Sequence, residues 1–424
     1  MADDIVAIRG ERGLAEKDLR AHIAALVRLE NIGVLLGAGS SSGDLGGKTL
    51  TKIWDDYAKK HPENIQWLKK YRFINEDDTK IPNPEIIADA LEIARMEQER
   101  SSGRKKRRLR QVQSDLLRFI VQGALLQEKW WATPELLTAL PPELKSHRSL
   151  LQKLTTSRQP GQASPWVFTT NYDLAVEWAA ESLGLHVSNG FLGLHARIFS
   201  PHNFDLGFRN NLAKGEARFG AYNIYLVKLH GSLSWVAEQS NGSDQSSITE
   251  LPAPAIWSRI QSYVKGSGKE APCQLVVPGV SKYQQTTGFV FGELFRRFTD
   301  FLGRSQSALF VSGYSFGDEH LNRVLRTALQ NPTLQIVILI PELKIEDSKA
   351  VYEGNSEWFK RLLAAKIPQI TFVGNGEKAY FSQFAELLPD PALYDRHSAE
   401  IRKQLKDLDD SLQTLNPVDG GISG

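Results

Sequence analysis

Hydrophobic and polar positions near the start of the chain follow a helical pattern and then a strand pattern. Apolar residues recur at helical spacing through residues 14–29, which predicts an amphipathic helix. The uninterrupted apolar run at 32–36 predicts a short buried strand. That strand leads directly into Gly37-Ala38-Gly39, an arrangement typical of the first strand and turn of a nucleotide-binding α/β domain.

From about residue 165, apolar runs of strand length alternate with amphipathic helical segments. The predicted strands lie at 166–169, 224–227, 274–277, 308–311, 335–340 and 370–373. The predicted helices lie at 173–183, 289–302, 318–330 and near 396–415, and the segment 237–272 predicts loops with a short helix. This alternation predicts a Rossmann-like α/β fold with a mostly parallel sheet covered by helices on both faces.

Residues 52–150 interrupt this alternation with apolar positions at helical spacing and few strand signals, which predicts a helical insertion broken near 101–103. The chain is therefore divided into four parts. They are 1–51, the start of the Rossmann-like domain; 52–150, the helical insertion; 151–380, the remainder of the domain; and 381–424, a C-terminal helix and flexible tail.

Composition narrows the class of protein. Among 424 residues, 51 Lys and Arg balance 49 Asp and Glu, and a net charge of +2 argues against a general nucleic-acid coat. Cys273 is the single cysteine, so neither an internal disulfide nor a cysteine zinc site is expected. The N-terminus lacks a signal-peptide pattern and no apolar run is long enough to span a bilayer. These features predict a soluble cytoplasmic protein without zinc.

Residues 104–110 contain six basic side chains among seven. Such a run is typical of a solvated helix surface, and a nucleic-acid contact or a docking patch for an acidic partner are the alternatives. It lies within the predicted insertion, away from the motifs described next, so we expect a role in regulation or assembly.

The turn Gly37-Ala38-Gly39-Ser40 follows the first predicted strand. Glycines at this place allow backbone N–H groups to approach an anion, although a plain tight turn has the same composition. The later Gly47-Lys48-Thr49 matches the end of a P-loop, but the first glycine of that motif would stand at position 42, which is serine. An ATPase is therefore the weaker interpretation.

Two further strand ends have polar side chains. Thr170-Asn171-Tyr172-Asp173 precedes a predicted helix; Asp173 can cap that helix, whereas the amide of Asn171 can bond ribose hydroxyls or a water. His230 follows the strand at 224–227 and is flanked by Gly231, where an imidazole can face a ligand and act as a base or fill a structural role.

The order of these three motifs resembles the sirtuin family, whose members have G-A-G-x-S, then Q-N-x-D, then H-G. The resemblance spans roughly residues 30–50 and 165–345. It implies that residues 37–40 hold the pyrophosphate of NAD, that Thr170, Asn171 and Asp173 line the nicotinamide-ribose pocket, and that His230 is the base. Thr170 stands where the family has glutamine, and the two C-x-x-C pairs of the family's zinc module are missing.

Gly313-Tyr314-Ser315-Phe316-Gly317 follows the strand at 308–311 and matches the nucleophile elbow of serine hydrolases. The histidines that follow it, His320 and His397, are poorly placed for a triad. With Asp318 and Asn322, the stretch instead looks like the sirtuin-like domains of bacterial anti-phage defence proteins. This implies that Gly313, Ser315 and Asp318 close the adenosine side of the NAD site, where Asp318 caps a helix or reaches a ribose hydroxyl.

The resemblance implies an NAD glycohydrolase that depletes NAD during abortive anti-phage defence. Control by homo-oligomerisation is expected, and in length and layout the chain resembles short sirtuin-like proteins that assemble with a hexameric HerA-type ATPase. The alternatives are an NAD-dependent protein deacylase, a non-catalytic subunit that senses NAD or ADP-ribose, and a hydrolase with Ser315 as nucleophile.

Overall fold

The computed structural model describes residues 5–75, 82–97, 104–132, 144–158, 162–207, 223–238, 247–265 and 287–390. Cys273, His397, the strand predicted at 274–277 and the helix predicted near 396–415 lie outside these residues, as does most of the predicted tail.

The described strands are β1 (Ile5–Arg9), β2 (Arg12–Ala15), β3 (Asn31–Leu36), β4 (Trp166–Thr169), β5 (His186–Ser188), β6 (Phe191–Leu192), β7 (Arg197–Phe199), β8 (Asn223–Lys228), β9 (Trp235–Glu238), β10 (Ser247–Glu250), β11 (Ser307–Ser312), β12 (Gln335–Leu339), β13 (Leu343–Glu346), β14 (Lys349–Tyr352) and β15 (Ile370–Val373). The described helices are α1 (Glu16–Leu26), α2 (Leu50–Lys60), α3 (Pro62–Lys70), α4 (Pro84–Glu97), α5 (Arg104–Ala124), α6 (Lys129–Ala132), α7 (Lys145–Thr156), α8 (Ala175–Ser182), α9 (Ala253–Val264), α10 (Thr287–Gly303), α11 (Glu319–Ala328), α12 (Glu357–Ala364) and α13 (Phe381–Leu387).

Nine of the described strands form one sheet, in the order β2-β1-β15-β12-β11-β3-β4-β8-β5. The seven strands from β15 to β5 pair in parallel. The hairpin β1–β2 adds two antiparallel strands at the β15 edge. A mainly parallel α/β sheet was predicted from the sequence, and this class is confirmed.

The central strands are buried on both sides, which explains their continuous apolar runs. In β3, Leu35 faces one hydrophobic cluster, which contains residues of α10, α11 and α12. Its neighbours Val34 and Leu36 face a second cluster with residues of α1, α7, α8 and α13. Helices therefore cover the sheet from both faces, and the alternation of side chains along each strand supplies two separate cores.

A third hydrophobic cluster joins the helices of the 52–150 segment to the rest of the protein. It contains apolar residues of α2, α4 and α5 together with Tyr172, Leu174 and Trp178, which lie in or beside α8, and Leu233. The helices α2 to α6 thus pack near the carboxyl ends of β4 and β8 and are anchored there by buried side chains.

Several elements differ from the sequence prediction, among them the following three. The helix predicted from residue 14 begins at Glu16, because the residues before it pair as β2 with β1, a hairpin the pattern did not predict. The helix predicted from residue 173 begins at Ala175, because the Asp173 carboxylate accepts a hydrogen bond from the Ala175 N–H (3.0 Å). The segment predicted as loops around a short helix also contains β9 and β10.

Candidate functional site

The strand order reverses beside β3, because the chain leaves β3 for β4 on one side and returns to β11 on the other. In open parallel sheets, ligands bind outside the carboxyl ends of strands at such a reversal. The four predicted motifs follow the carboxyl ends of β3, β4, β8 and β11, so the fold brings them to one edge of the sheet.

The turns after β3 and β11 pack directly against each other. The Gly37 N–H donates to the carbonyl of Ser312 (3.1 Å), and the Gly39 N–H donates to the carbonyl of Gly313 (2.9 Å). A Cβ on Gly37 would lie 2.5 Å from the Gly313 oxygen and 2.6 Å from the Tyr314 Cα. Glycine at position 37 is therefore explained by the close approach of two backbones.

Gly313 has a second reason to be glycine. Its φ is +69°, in the left-handed region, and a Cβ there would lie 2.4 Å from the Ser40 nitrogen. The sequence interpretation attributed the glycines of the first turn to an approaching anion, with a plain tight turn as the alternative. In the structure, glycine is required at positions 37 and 313 because the two turns pack directly against each other.

Serine hydroxyls in the first turn bond within the turn. Ser40 Oγ donates to the Gly37 carbonyl (2.8 Å), and Ser42 Oγ donates to the Gly39 carbonyl (3.0 Å). Residues 38–40 form a short 3-10 turn in which Ala38 is half-buried and Ser40 is buried. These hydroxyls stiffen the turn. The N–H groups of Gly37, Gly39 and Ser40 also bond backbone carbonyls, so within the described residues only the Ala38 N–H of this turn has no acceptor.

Asn171 fastens the end of β4 to the glycine turn. Its Nδ2 lies 3.0 Å from the Gly37 carbonyl, 3.2 Å from Ser40 Oγ and 3.0 Å from Ser41 Oγ. Within the described residues, no donor bonds its Oδ1. The amide is half-buried and held by its nitrogen, which leaves the oxygen as the atom able to accept from a ligand hydroxyl or a water.

Thr170 and Asp173, on either side of Asn171 in the chain, have different hydrogen-bond partners. The Thr170 N–H donates to the Leu36 carbonyl at 3.0 Å, which continues the β3–β4 pairing into the loop. Asp173 is buried, and its Oδ1 accepts from the N–H of Ala175, the first residue of α8, whose N-cap residue is Leu174. This bond at the start of the helix is close to the capping role considered for Asp173 from the sequence, and it occupies one of its two carboxylate oxygens.

His230 and Asp318 meet across the edge of the sheet. His230 Nε2 lies 2.7 Å from Asp318 Oδ2, with 13% of the His230 side chain and 22% of the Asp318 side chain exposed. Asp318 Oδ1 also caps α11 by accepting from the Leu321 N–H (3.0 Å). Both oxygens of Asp318 are thus engaged in holding the protein's own groups.

This contact sets the protonation of both side chains. Burial lowers the pKa of His230, but the hydrogen bond to Asp318 and the charges of Glu85 and Asp318 outweigh it and raise the pKa above its ordinary value. Burial raises the pKa of Asp318, but the hydrogen bond and charge of His230 outweigh it and lower the pKa to about 2. A carboxylate therefore orients the imidazole, as in established acid–base pairs.

Ser315 lies on the exposed turn between β11 and α11. The strained position of this turn is Phe316, with φ +57°, and not the serine that an elbow would strain. His320 is exposed near the start of α11, and within the described residues no hydrogen bond joins it to Ser315. This geometry does not support the hydrolase interpretation.

The P-loop interpretation also finds no support in the geometry. Lys48 Nζ forms an ion pair with Asp56 of α2 at 2.8 Å, and Thr49 caps the same helix by accepting from the Lys52 N–H. Both residues are thus accounted for by the start of the helical segment.

Two groups beside the site were not predicted from the sequence. Lys228, at the end of β8, is 2% exposed; its Nζ donates to the main-chain carbonyls of Tyr172 and Asp173 and pairs with Glu177 at 2.9 Å. Glu85 of α4 accepts from the Tyr172 hydroxyl at 2.8 Å. A lysine ending a buried strand is a detectable signal, whereas the contact of Glu85 depends on how the insertion packs.

Comparison with known proteins assigns a SIR2-like domain to residues 165–359, which include Asn171, His230 and Asp318. No curated protein matches the chain. Similar solved structures include a Sir2 homologue in complex with NAD, with 15% identity, a TM-score of 0.36 and coverage of 87% of this chain and 91% of that chain. Another is a complex of Sir2 with a p53 peptide and NAD⁺, with 12% identity, a TM-score of 0.37 and coverage of 87% and 95%.

Among the described residues, no helix combines the length and apolar character needed to cross a bilayer. In the same part of the chain, no three His, Cys, Asp or Glu side chains are grouped in a way that could bind a metal ion.

Proposed function

We propose that the protein is an NAD glycohydrolase that cleaves NAD to nicotinamide and ADP-ribose. The SIR2-like domain indicates sirtuin-type function with NAD, and the proposal adds hydrolysis as the outcome. The observation on which it rests is the His230–Asp318 hydrogen bond of 2.7 Å, at the same sheet edge as Asn171. An oriented imidazole and an orienting amide are what activation of one water requires.

The groups at this edge suit the parts of NAD. In the proposal, the turn at residues 37–40 holds the pyrophosphate, with the Ala38 N–H as its donor because the N–H groups of Gly37, Gly39 and Ser40 already bond backbone carbonyls. Gly313 and Ser315 lie on its adenosine side. Asn171 Oδ1 accepts from a ribose hydroxyl or from the attacking water, with Thr170 and Asp173 shaping that pocket. Because both Asp318 oxygens are engaged, we assign Asp318 to holding His230 in place of the ribose contact.

The reaction breaks the bond between the nicotinamide nitrogen and the ribose carbon. Nicotinamide leaves as a neutral molecule, so no acid is needed to protonate it, while positive charge spreads over the ribose. Water adds to that carbon, and its proton passes to the ring nitrogen of His230 that does not face Asp318. The protein's contribution is to position the ribose, exclude bulk water and hold the base.

The test is nicotinamide release from NAD alone by the purified protein. We expect the Asn171→Ala, His230→Ala double variant to lose activity by at least about a hundredfold, because both water orientation and proton transfer are removed. Exposed His202→Gln is the matched control and should retain activity. Labelling by a serine-reactive phosphonate that is lost in Ser315→Ala would instead favour the hydrolase alternative. Full NAD hydrolysis by the double variant would refute the proposal.

The deacylase alternative uses the same NAD site and differs in its second substrate. The sequence contains one cysteine, so the two cysteine pairs of a sirtuin zinc module cannot be formed. Release of nicotinamide without an acylated peptide supports hydrolysis, and release only with the peptide supports deacylation. Binding of NAD or ADP-ribose by calorimetry without any product would support a sensing subunit.

We further propose that this activity serves abortive anti-phage defence in the cytoplasm, as a homo-oligomer paired with a HerA-type hexameric ATPase. The support is the resemblance of residues 313–322 to defence-associated sirtuin-like domains. The test is NAD consumption by the protein alone and with an ATPase encoded beside it, with sedimentation of the mixture. Equal consumption and no co-sedimentation would reject the pairing.

A further inference from the structure

The helical insertion reaches the candidate site through the first turn of α4. Glu85 Oε1 accepts from the Tyr172 hydroxyl at 2.8 Å, and Tyr172 directly follows Asn171. The Glu85 N–H in turn donates to Asn83 Oδ1 at 2.9 Å, which fixes the start of the helix. A carboxylate from the insertion is therefore held beside the strand end that presents Asn171.

Packing keeps this contact in place. Tyr172 is 8% exposed and belongs to the hydrophobic cluster that includes Ile87 and Leu91 of α4. Its main-chain carbonyl accepts from the Leu233 N–H at 2.9 Å, three residues after His230. The same tyrosine thus links α4, the Asn171 loop and the His230 loop.

Two carboxylates raise the pKa of His230. Asp318 acts on the imidazole from the turn before α11, and Glu85 acts on it from α4. Burial raises the pKa of the Tyr172 hydroxyl, and the charges of Glu85, Asp89 of α4 and Asp318 raise it further. Carboxylates from two separate elements therefore act on the imidazole and on Tyr172.

We propose that Glu85, held by the Tyr172 hydroxyl next to Asn171, completes the site as a second carboxylate, so that the insertion takes part in NAD cleavage. This inference rests on the proposed function. As the nicotinamide bond breaks, positive charge develops on the ribose, and a fixed carboxylate stabilises that charge more than it stabilises bound NAD. Glu85 forms no bond to the substrate in this role; its charge acts across the site.

Two substitutions separate the charge of Glu85 from its hydrogen bond. Glu85→Gln removes the charge but keeps an oxygen that accepts from Tyr172, whereas Tyr172→Phe removes the hydrogen bond and keeps the charge. We expect E85Q to lower kcat about tenfold with little change in KM, because the lost interaction strengthens only in the transition state. Y172F should lower kcat less than E85Q.

The pH profile supplies a readout that a structural defect would not change. Removing a negative charge lowers the pKa of a nearby histidine, so the acidic limb of the kcat profile should move to lower pH in E85Q. Glu97→Gln, at the exposed far end of α4, is the control and should leave both kcat and the profile as in the wild type. Equal losses in E85Q and E97Q, or an unchanged E85Q profile, would overturn the inference.

A titration of His230 by NMR distinguishes failure of this inference from failure of the proposed function. In protein with labelled histidines, the His230 signal is identified by its loss in His230→Gln, and its midpoint is compared with and without E85Q. If the wild type releases no nicotinamide, the proposed function fails, and a lowered midpoint still supports the charge contact. An unchanged midpoint refutes the role of Glu85, whatever the activity.

Discussion

Lys228 brings a positive charge into a part of the protein that water does not reach. Its ammonium bonds the main-chain carbonyls of Tyr172 and Asp173 and the carboxylate of Glu177. The lysine therefore holds the loop that contains Asn171 by bonding its main-chain carbonyls. Burial raises the pKa of Glu177 although Lys228 opposes this, so the pair has a substantial cost of desolvation.

Lys228→Met should destabilise the protein by about 3 kcal/mol, because a buried carboxylate and two carbonyls lose their partner. Adding Glu177→Leu should restore part of that loss by removing the unpaired acid. Urea unfolding at neutral pH measures both effects. Lys344→Met is the matched control, since its ion pair with Glu353 is well exposed, and its midpoint should stay near the wild type. Equal midpoints for the two lysine variants would contradict this explanation.

Single residues differ in how far the sequence predicts them. Asn171 and His230 follow apolar runs, so their location at strand ends was predicted from periodicity alone. The contact between His230 and Asp318 joins residues 88 positions apart, and no local pattern encodes it. Glu85 lay in a segment that the sequence placed away from the site, and only the packing of α4 brings it to Tyr172.

The turns after β3 and β11 act as one element at the scale of secondary structure. N–H groups of the first turn donate to main-chain carbonyls of the second, and the space between the two turns is too small for a side chain. Moving these two turns apart would therefore displace the 37–40 turn that the proposal assigns to the pyrophosphate.

Gly37→Ala should therefore weaken binding of ADP-ribose by at least about tenfold and destabilise the protein by roughly 1–3 kcal/mol, since its methyl group overlaps the Gly313 backbone. Calorimetry and thermal unfolding provide the two measurements. Gly317→Ala is the control, because a Cβ there meets only Ser315 Oγ at 3.6 Å. Unchanged affinity in G37A would show that the two turns tolerate separation.

Elements with strong periodicity were predicted well. The predicted strands that became β3, β4, β8, β11, β12 and β15 are continuous apolar runs buried on both faces. The hairpin β1–β2 was missed because it is short and pairs with β15, more than 350 residues later in the chain. The division of the chain at residues 51, 150 and 380 stays a prediction.

At the scale of the whole molecule, His147 makes stability depend on pH. It is 1% exposed in α7 and packs against Phe381 of α13 with ring centroids 4.5 Å apart, and neither ring nitrogen has a hydrogen-bond partner within the described part of the chain. Burial lowers the pKa of His147 to about 4, although the charge of Asp173 opposes this. The folded protein therefore keeps this ring neutral at pH values where an unfolded chain protonates it.

Because the folded pKa lies below the unfolded value, the unfolded chain binds more protons between about pH 6.5 and 4. Stability from this residue is complete above pH 6.5 and falls by roughly 3 kcal/mol as the pH approaches 4. His147→Phe should make the loss of unfolding free energy over this range shallower by that amount, whereas exposed His202→Gln should not. Parallel curves for H147F and wild type would reject the assignment.

The order of strands in the sheet also has a consequence for synthesis of the protein. β3 ends at residue 36, but its partner turn begins at Gly313, and His230 is not held until Asp318 is present. Parallel pairing over such separations forms late, since the intervening chain must be available first. A ribosome must therefore complete about three quarters of the polypeptide before the candidate site can assemble. The NAD cleavage proposed above would then begin only after most of the protein has been made.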